Sequence, residues 1–222
     1  MNDSAVTRLN VERFNSVAAS WDDNPVRVEL AQAVARAIAA AVPLRRDARA
    51  LEFGCGTGLV TALLAPELGR VVAVDSAAGM LDVLRAKVRE LDLDHVEAVE
   101  MDLARALPPG PFDLIFSSMT LHHIEDVPGL LARLHALLAP GGYVALADLE
   151  REDGTFHGDA PGVMHQGFEP AAVARWLAAA GFGEVRTRPA HVVHKTGADG
   201  AAHDYPVFLA TGRRAGGRGA KD

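Results

Sequence analysis

From residue 49 onward, short apolar runs alternate with stretches of helical spacing, a pattern that few architectures can use. Ala50-Leu51-Glu52-Phe53 reads as a short strand running into glycines. Leu59–Leu68 follows as a helix with Pro66 near its end, and Val71–Val74 reads as a buried strand. Ala77–Leu91 places Met80, Leu81, Leu84 and Val88 on one helical side. Val96–Val99 and Phe112–Ser117 are the third and fourth strands, separated by a Pro108-Pro109-Gly110-Pro111 loop. Val127–Leu138 is an apolar-striped helix stopped by Ala139-Pro140-Gly141-Gly142, and Tyr143–Ala147 is the fifth strand. Pro170–Ala180 has proline near its start and Gly181 just past its end, the usual helix asymmetry. Glu184–Val193 and Val207–Thr211 supply two closing strands. Alternating strands and helices predict an α/β fold, a doubly wound parallel sheet with helices on both faces. Ligands of such sheets bind beyond the carboxyl ends of the strands, near the topological switch point. Function is therefore to be sought just after each strand.

The 222 residues amount to about 1.5 domains of ordinary size. The excess is expected as additions to one domain. Residues 1–45 read as an N-terminal helical lid, 46–212 as the main domain and 213–222 as a tail. In Val26–Val42, Leu30, Val34, Ala37, Ile38 and Ala41 recur at helical spacing until Pro43 ends the run. Residues 149–167 lack a period and read as a long loop or lid, a kind of segment that often carries function.

Hydrophobic residues at 49% and charged residues at 23% describe a globular chain rather than a disordered one. With 22 Lys and Arg against 29 Asp and Glu, the net charge of −7 argues against general nucleic-acid binding, which depends on neutralising phosphates. No apolar run approaches the roughly 18 residues of a membrane span, and no signal-peptide pattern opens the sequence. The single cysteine, Cys55, permits no internal disulfide, which fits a cytoplasmic location.

The sharpest motif is Glu52-Phe53-Gly54-Cys55-Gly56-Thr57-Gly58, set between a strand and a helix. Glycines there free the backbone and let a ligand approach it. A dinucleotide site wants Gly-x-Gly-x-x-Gly, but that third position is Leu59, and the third glycine arrives one residue early at Gly58. Glu52 would sit poorly beside a pyrophosphate and well beside the ammonium and sulfonium charges of S-adenosylmethionine. Asp75, ending the second strand, can accept from both ribose hydroxyls, a feature common to both cofactors. Asp102, after the third strand, can receive an adenine amino group between Met101 and Leu103.

Four segments in this order resemble a class I S-adenosylmethionine-dependent methyltransferase of the small-molecule, ubiquinone/menaquinone-biosynthesis type. They are Glu52–Gly58, Val74-Asp-Ser-Ala-Ala-Gly-Met-Leu81, Phe112–Asp126 and Leu138-Ala-Pro-Gly-Gly-Tyr143. The resemblance spans about residues 12–211. It implies a Rossmann-like sheet of seven strands with the last antiparallel. It also implies that Glu52, Gly54, Cys55, Gly56 and Gly58 hold the methionine part of S-adenosylmethionine. Asp75, with Ser76 and Met80, would hold the ribose, and Asp102 and Leu103 the adenine. Ser117 and Ser118 would lie beside the transferred methyl, and Phe14 and Trp21 become lid candidates. Trp21-Asp22 stands where many relatives carry Tyr-Asp.

The implied reaction is direct displacement at the methyl carbon by an oxygen, nitrogen, sulfur or carbon nucleophile of a small molecule, releasing S-adenosylhomocysteine. RNA or protein acceptors and a nicotinamide-dependent oxidoreductase are the rival readings. A base helps if the nucleophile carries a proton, and His122, His123, His157 and His165 are the candidates. The His122-His123 pair equally reads as local packing after the fourth strand. A metal held by His157, Asp159 and His165 with Asp148 or Glu150 matches no ligand spacing, and none is expected. Cys55 lacks an activating partner and reads as a small side chain in the loop.

Overall fold

A computed structural model describes residues 3–103 and 105–216, with side chains from residue 8 onward. The last six residues of the expected tail lie outside the described residues, as do Met1 and Asn2 of the expected lid. Seven strands form one sheet in the order β3-β2-β1-β4-β5-β7-β6. They are β1 (Arg49–Phe53), β2 (Arg70–Asp75), β3 (Val96–Glu100), β4 (Phe112–Ser118), β5 (Leu138–Leu149), β6 (Gly183–Thr196) and β7 (Ala202–Arg213). The first five pair in parallel, and β7 runs antiparallel to both β5 and β6. The order reverses between β1 and β4, which opens a crevice at their carboxyl ends.

The helices are α1 (Asp3–Val17), α2 (Pro25–Ala39), α3 (Leu59–Leu64), α4 (Ala78–Glu90), α5 (Val127–Leu137) and α6 (Pro170–Ala179). α2 begins where Asn24 accepts the Val26 N–H through its side chain at 2.9 Å and Pro25 takes a position that needs no donor. Its Leu30, Val34 and Ile38 pack with Leu81 and Leu84 of α4 on one face of the sheet. Leu131 and Leu134 of α5 and Val173 and Leu177 of α6 cover the other face with Phe112 and Phe53. Complete burial of side chains such as Val34 and Ile38 contributes about 1.5–3 kcal/mol apiece.

Four elements differ from the sequence expectation. Leu59–Leu68 is α3 followed by a 3-10 turn at Ala65–Glu67, because Pro66 supplies no N–H to continue the α-helical ladder. β5 begins at Leu138 rather than Tyr143. Leu138 pairs with Phe112, and the register then shifts before Leu114 meets Tyr143, so the Pro-Gly-Gly segment is a bulged part of the strand. β6 and β7 outrun their expected lengths and form a long hairpin, paired as far as Thr196 and Ala202. No described helix is long and apolar enough to cross a membrane.

Candidate active site

The crevice at the switch point is a cleft of about 780 Å³. Its walls come from the segments after β1, β2, β3 and β4 and from the N-terminal helices. Gly54, Cys55, Gly56, Glu52, Asp75, Ser76, Met80, Asp102, Leu103, Ser118, Phe14 and Trp21 all line it.

The loop after β1 is shaped by left-handed backbone. Gly56 has φ +52° and nothing within 4 Å of where a Cβ would stand, so its main chain faces open space. Gly58, at φ +76°, does different work. A Cβ there would meet Leu84 Cδ1 at 2.3 Å, so this glycine lets the start of α3 close against α4 and does not line the cleft. Asp75 stands opposite the loop. Its two carboxylate oxygens accept the N–H groups of Gly56 at 2.8 Å and Ala77 at 2.9 Å. Lone pairs remain for further donors, because a carboxylate offers about four acceptor sites. Burial raises the Asp75 pKa, and the backbone hydrogen bonds oppose that rise.

Glu52 forms part of the cleft floor at 2% exposure, and Thr61 of α3 donates to its carboxyl. Burial pushes its pKa up to about 8, with Asp75 adding to the rise and Lys87 opposing it. A cation beside this group is what would restore its charge. Burial likewise raises the Cys55 thiol, which leaves it inert as a nucleophile.

Ser117 departs from expectation. Side chains alternate along β4, so Ser118 faces the cleft while Ser117 is buried and donates to the Phe53 carbonyl at 2.7 Å. Beyond Ser118 the chain turns through Met119 at φ +56°, and Thr120 Oγ1 lies 3.3 Å from the Gly54 carbonyl. Both residues line the cleft.

The four histidine candidates separate. His123 lines the cleft. Its Nδ1 lies 2.6 Å from the Gly162 carbonyl, which can only accept, so Nδ1 carries the proton and Nε2 is an acceptor. Burial, reinforced by His122, pushes its pKa down to about 4. His122, His157 and His165 do not line the cleft. His122 is buried with Nδ1 2.7 Å from Asp148 Oδ1, and its Nε2 meets His157 Nε2 at 3.1 Å. Asp148 also accepts the His122 and Leu149 backbone N–H groups. Burial and His122 drive the His157 pKa down to about 2. His165 donates through Nε2 to the Ile124 carbonyl at 2.8 Å. His157 and His165 line a second cavity of about 510 Å³ under the loop that follows β5. That loop is fastened by Met164 and His165 N–H bonds to the His122 carbonyl and by Lys195 Nζ to the Phe156 carbonyl. Among the described residues, no three His, Cys, Asp or Glu side chains form a metal-ligand group.

The N-terminal helices close one end of the cleft. Phe14 stacks edge-on to Trp21 at 5.6 Å and to His123 at 5.5 Å. Asp22 takes the Thr57 hydroxyl at 2.6 Å and Lys87 Nζ at 2.8 Å, and Lys87 also reaches the Thr57 carbonyl at 2.9 Å. The lid is thereby bolted to the glycine loop. The sequence alone assigns no role to Asp22, Thr57, Thr61, Lys87 or Thr120 and offers Asp148 only as a metal-ligand candidate. Thr57 lies inside the glycine motif, Thr120 inside the Phe112–Asp126 segment and Asp22 beside Trp21, whereas Thr61 and Lys87 carry no visible signal.

A family model described as a methyltransferase domain matches residues 26–192. The trans-aconitate 2-methyltransferase of Azoarcus sp. (strain BH72) is 37% identical over 131 residues, covering 57% of this chain and 50% of that protein. The ubiquinone biosynthesis O-methyltransferase of Xanthomonas campestris pv. campestris (strain B100) is 32% identical over 163 residues, covering 67% and 64%. The chain spans about half the length of the curated relatives it matches. Among solved structures, the DhpI–SAH complex superposes with a TM-score of 0.73 at 23% identity, covering 98% of this chain and all of that one. The N-methyltransferase NodS of Bradyrhizobium japonicum WM9 bound to S-adenosyl-L-homocysteine gives 0.68 at 21%, covering 92% and 96%.

Proposed function

The chain belongs to the methyltransferase-domain family, and on that premise we propose that it moves a methyl group from S-adenosylmethionine to a small-molecule acceptor, with S-adenosylhomocysteine as the second product. The observation that carries this reading is Gly56, whose backbone faces open cleft with the Asp75 carboxylate across from it. The Gly54–Gly56 backbone would cradle the methionine part, with Glu52 answering its ammonium charge. Asp75 with Ser76 and Met80 would take the ribose, and Asp102 and Leu103 the adenine. The cofactor supplies a sulfonium-activated methyl group, already a strong electrophile.

The protein's own contribution is alignment and exclusion of water, and orientation can be worth about 7–11 kcal/mol. Ser118, Phe14 and Trp21 would bound the acceptor. His123 offers Nε2 as a hydrogen-bond acceptor. With a pKa near 4 it is a weak base, so it positions the nucleophile rather than deprotonating it. The acidic balance of the chain supports a small molecule over a nucleic acid, and its one buried thiol supports a cytoplasmic setting.

The test is thermal. S-adenosylhomocysteine is expected to raise the melting temperature and NAD to leave it unchanged. Stabilisation by NAD alone would overturn the reading. Release of S-adenosylhomocysteine in an acceptor screen then identifies the substrate class.

A further inference from the structure

Among the described residues, the buried side-chain atoms without a hydrogen-bond partner are Asn10 Oδ1 and Arg13 Nη1. Both sit on α1, one helical turn apart. Native interiors leave few such atoms unpaired, and each calls for an explanation such as a bound ion or ligand. A buried guanidinium N–H without a partner is the costlier of the two, since charge loses its hydration there.

The surroundings are cationic although the chain as a whole carries −7. Arg13 bears electrostatically on His123, His157 and Arg27, and Arg27 bears on Lys195. No carboxylate forms a salt bridge with Arg13, Arg27 or Lys195 among the described residues. The nearby acids are engaged elsewhere. Asp22 is held by Thr57 and Lys87, Asp148 by His122, and Glu152 accepts the Gly154 and Phe156 N–H groups. Arg27 lies over the Trp21 ring at 3.7 Å, donates to the Trp21 carbonyl and lines the cleft, as does Asn10, whereas Arg13 does not line it and its guanidinium stands 5.4 Å from the ring of the cleft-lining Phe14.

Resting on the methyltransferase reading, we propose that the acceptor carries an oxyanion, a carboxylate or phosphoryl group, and that Arg27 holds it at the lid end of the cleft, with Arg13 adding its charge from behind Phe14. Planar guanidinium groups suit both oxyanions, which they can grip through paired N–H bonds. The orphan Asn10 Oδ1 would take an O–H or N–H of the same molecule.

The test uses the full chain, labelled with nitrogen-15, titrated with succinate and with inorganic phosphate, each against an uncharged counterpart, succinamide or trimethyl phosphate. The indole N–H of Trp21, under Arg27, is the reporter, and that of Trp176 on α6 is the internal control. The anions are expected to shift Trp21 and spare Trp176. A response to succinate alone assigns a carboxylate, and one to phosphate alone a phosphoryl group. Arg13→Gln and, separately, Arg27→Gln should each weaken the binding tenfold or more, with R13K retaining part of it. Two variants guard against one failing to fold. Equal shifts from the uncharged compounds, no shift from either anion, or undiminished affinity in both variants would overturn the proposal. Binding of S-adenosylhomocysteine to the unaltered chain is measured separately by calorimetry. Its absence defeats the methyltransferase reading, while the anion titration is still read on its own terms.

Discussion

The two ends of the cleft are built on opposite principles. At the glycine-loop end, the polar groups meet partners supplied by short stretches of chain just past the strands. Asp75 is satisfied by Gly56 and Ala77, and Glu52 by Thr61. At the lid end, the residues come from α1, from the turn after β4 and from the loop after β5, and two buried atoms on α1 remain unpaired. A site whose own parts satisfy one another is rigid before its ligand arrives. One with unpaired buried atoms, here an amide oxygen and a guanidinium nitrogen, leaves them for a ligand to complete.

The contrast is most open to attack at Asp148, which steadies the lid end through His122. Asp148→Ala strips partners from the His122 ring and from the His122 and Leu149 N–H groups, all buried. The expected loss is about 3–5 kcal/mol in denaturant unfolding. A loss below about 1 kcal/mol would mean the histidine cluster is ornamental to stability.

Acid should come next. His123 stays neutral in the fold down to about pH 4, whereas the unfolded chain protonates its histidines below about 6.5. The unfolded state therefore binds more protons in that window, and stability falls as pH drops from 6.5 towards 4. The His123 share is about 3.4 kcal/mol at most. His157, shifted in the same direction, adds to it. H157Q and H123Q should each flatten the dependence of melting temperature on pH. An unchanged slope in both would place these rings in a wetter setting than the one described.

At the other end, Asp75→Ala should leave the lid in place and weaken S-adenosylhomocysteine binding by about 2 kcal/mol, roughly thirty-fold, read by calorimetry. Undiminished affinity would remove Asp75 from the ribose contact. The smallest effect is a fraction of a proton. Glu52, with a pKa near 8, is largely protonated at pH 7.5 and should ionise when an ammonium settles beside it. Binding heats measured in phosphate and in Tris buffer should differ accordingly. Identical heats would separate Glu52 from the ligand's charge.

The same divide governs what could be read in advance. The glycine-loop end is local in sequence, so the Glu52–Gly58 motif, Asp75 and Asp102 were visible as strand ends followed by polar residues. Even there, Ser117 and Ser118 could not be told apart, because one residue of register decides which serine faces the cleft. Gly58 looked like a ligand contact although Leu84, 26 positions away, is what demands it. The lid end depends on pairs with no sequence rhythm. His122 and Asp148 are 26 residues apart and His122 and His157 are 35 apart, and they meet only because β4 and β5 lie side by side. Asn10 and Arg13 belong to a helix whose polar positions alone do not say which ones turn inward.

The Asp22 bridge gives these two unlike ends a shared fate. One carboxylate grips Thr57, between the cleft-facing Gly56 and the close-packed Gly58, while its own residue lies next to Trp21 at the opposite wall. A change at Asp22 therefore reaches both ends of the cleft at once, because Thr57 and Lys87 hold its carboxylate on one side while Trp21 adjoins it on the other.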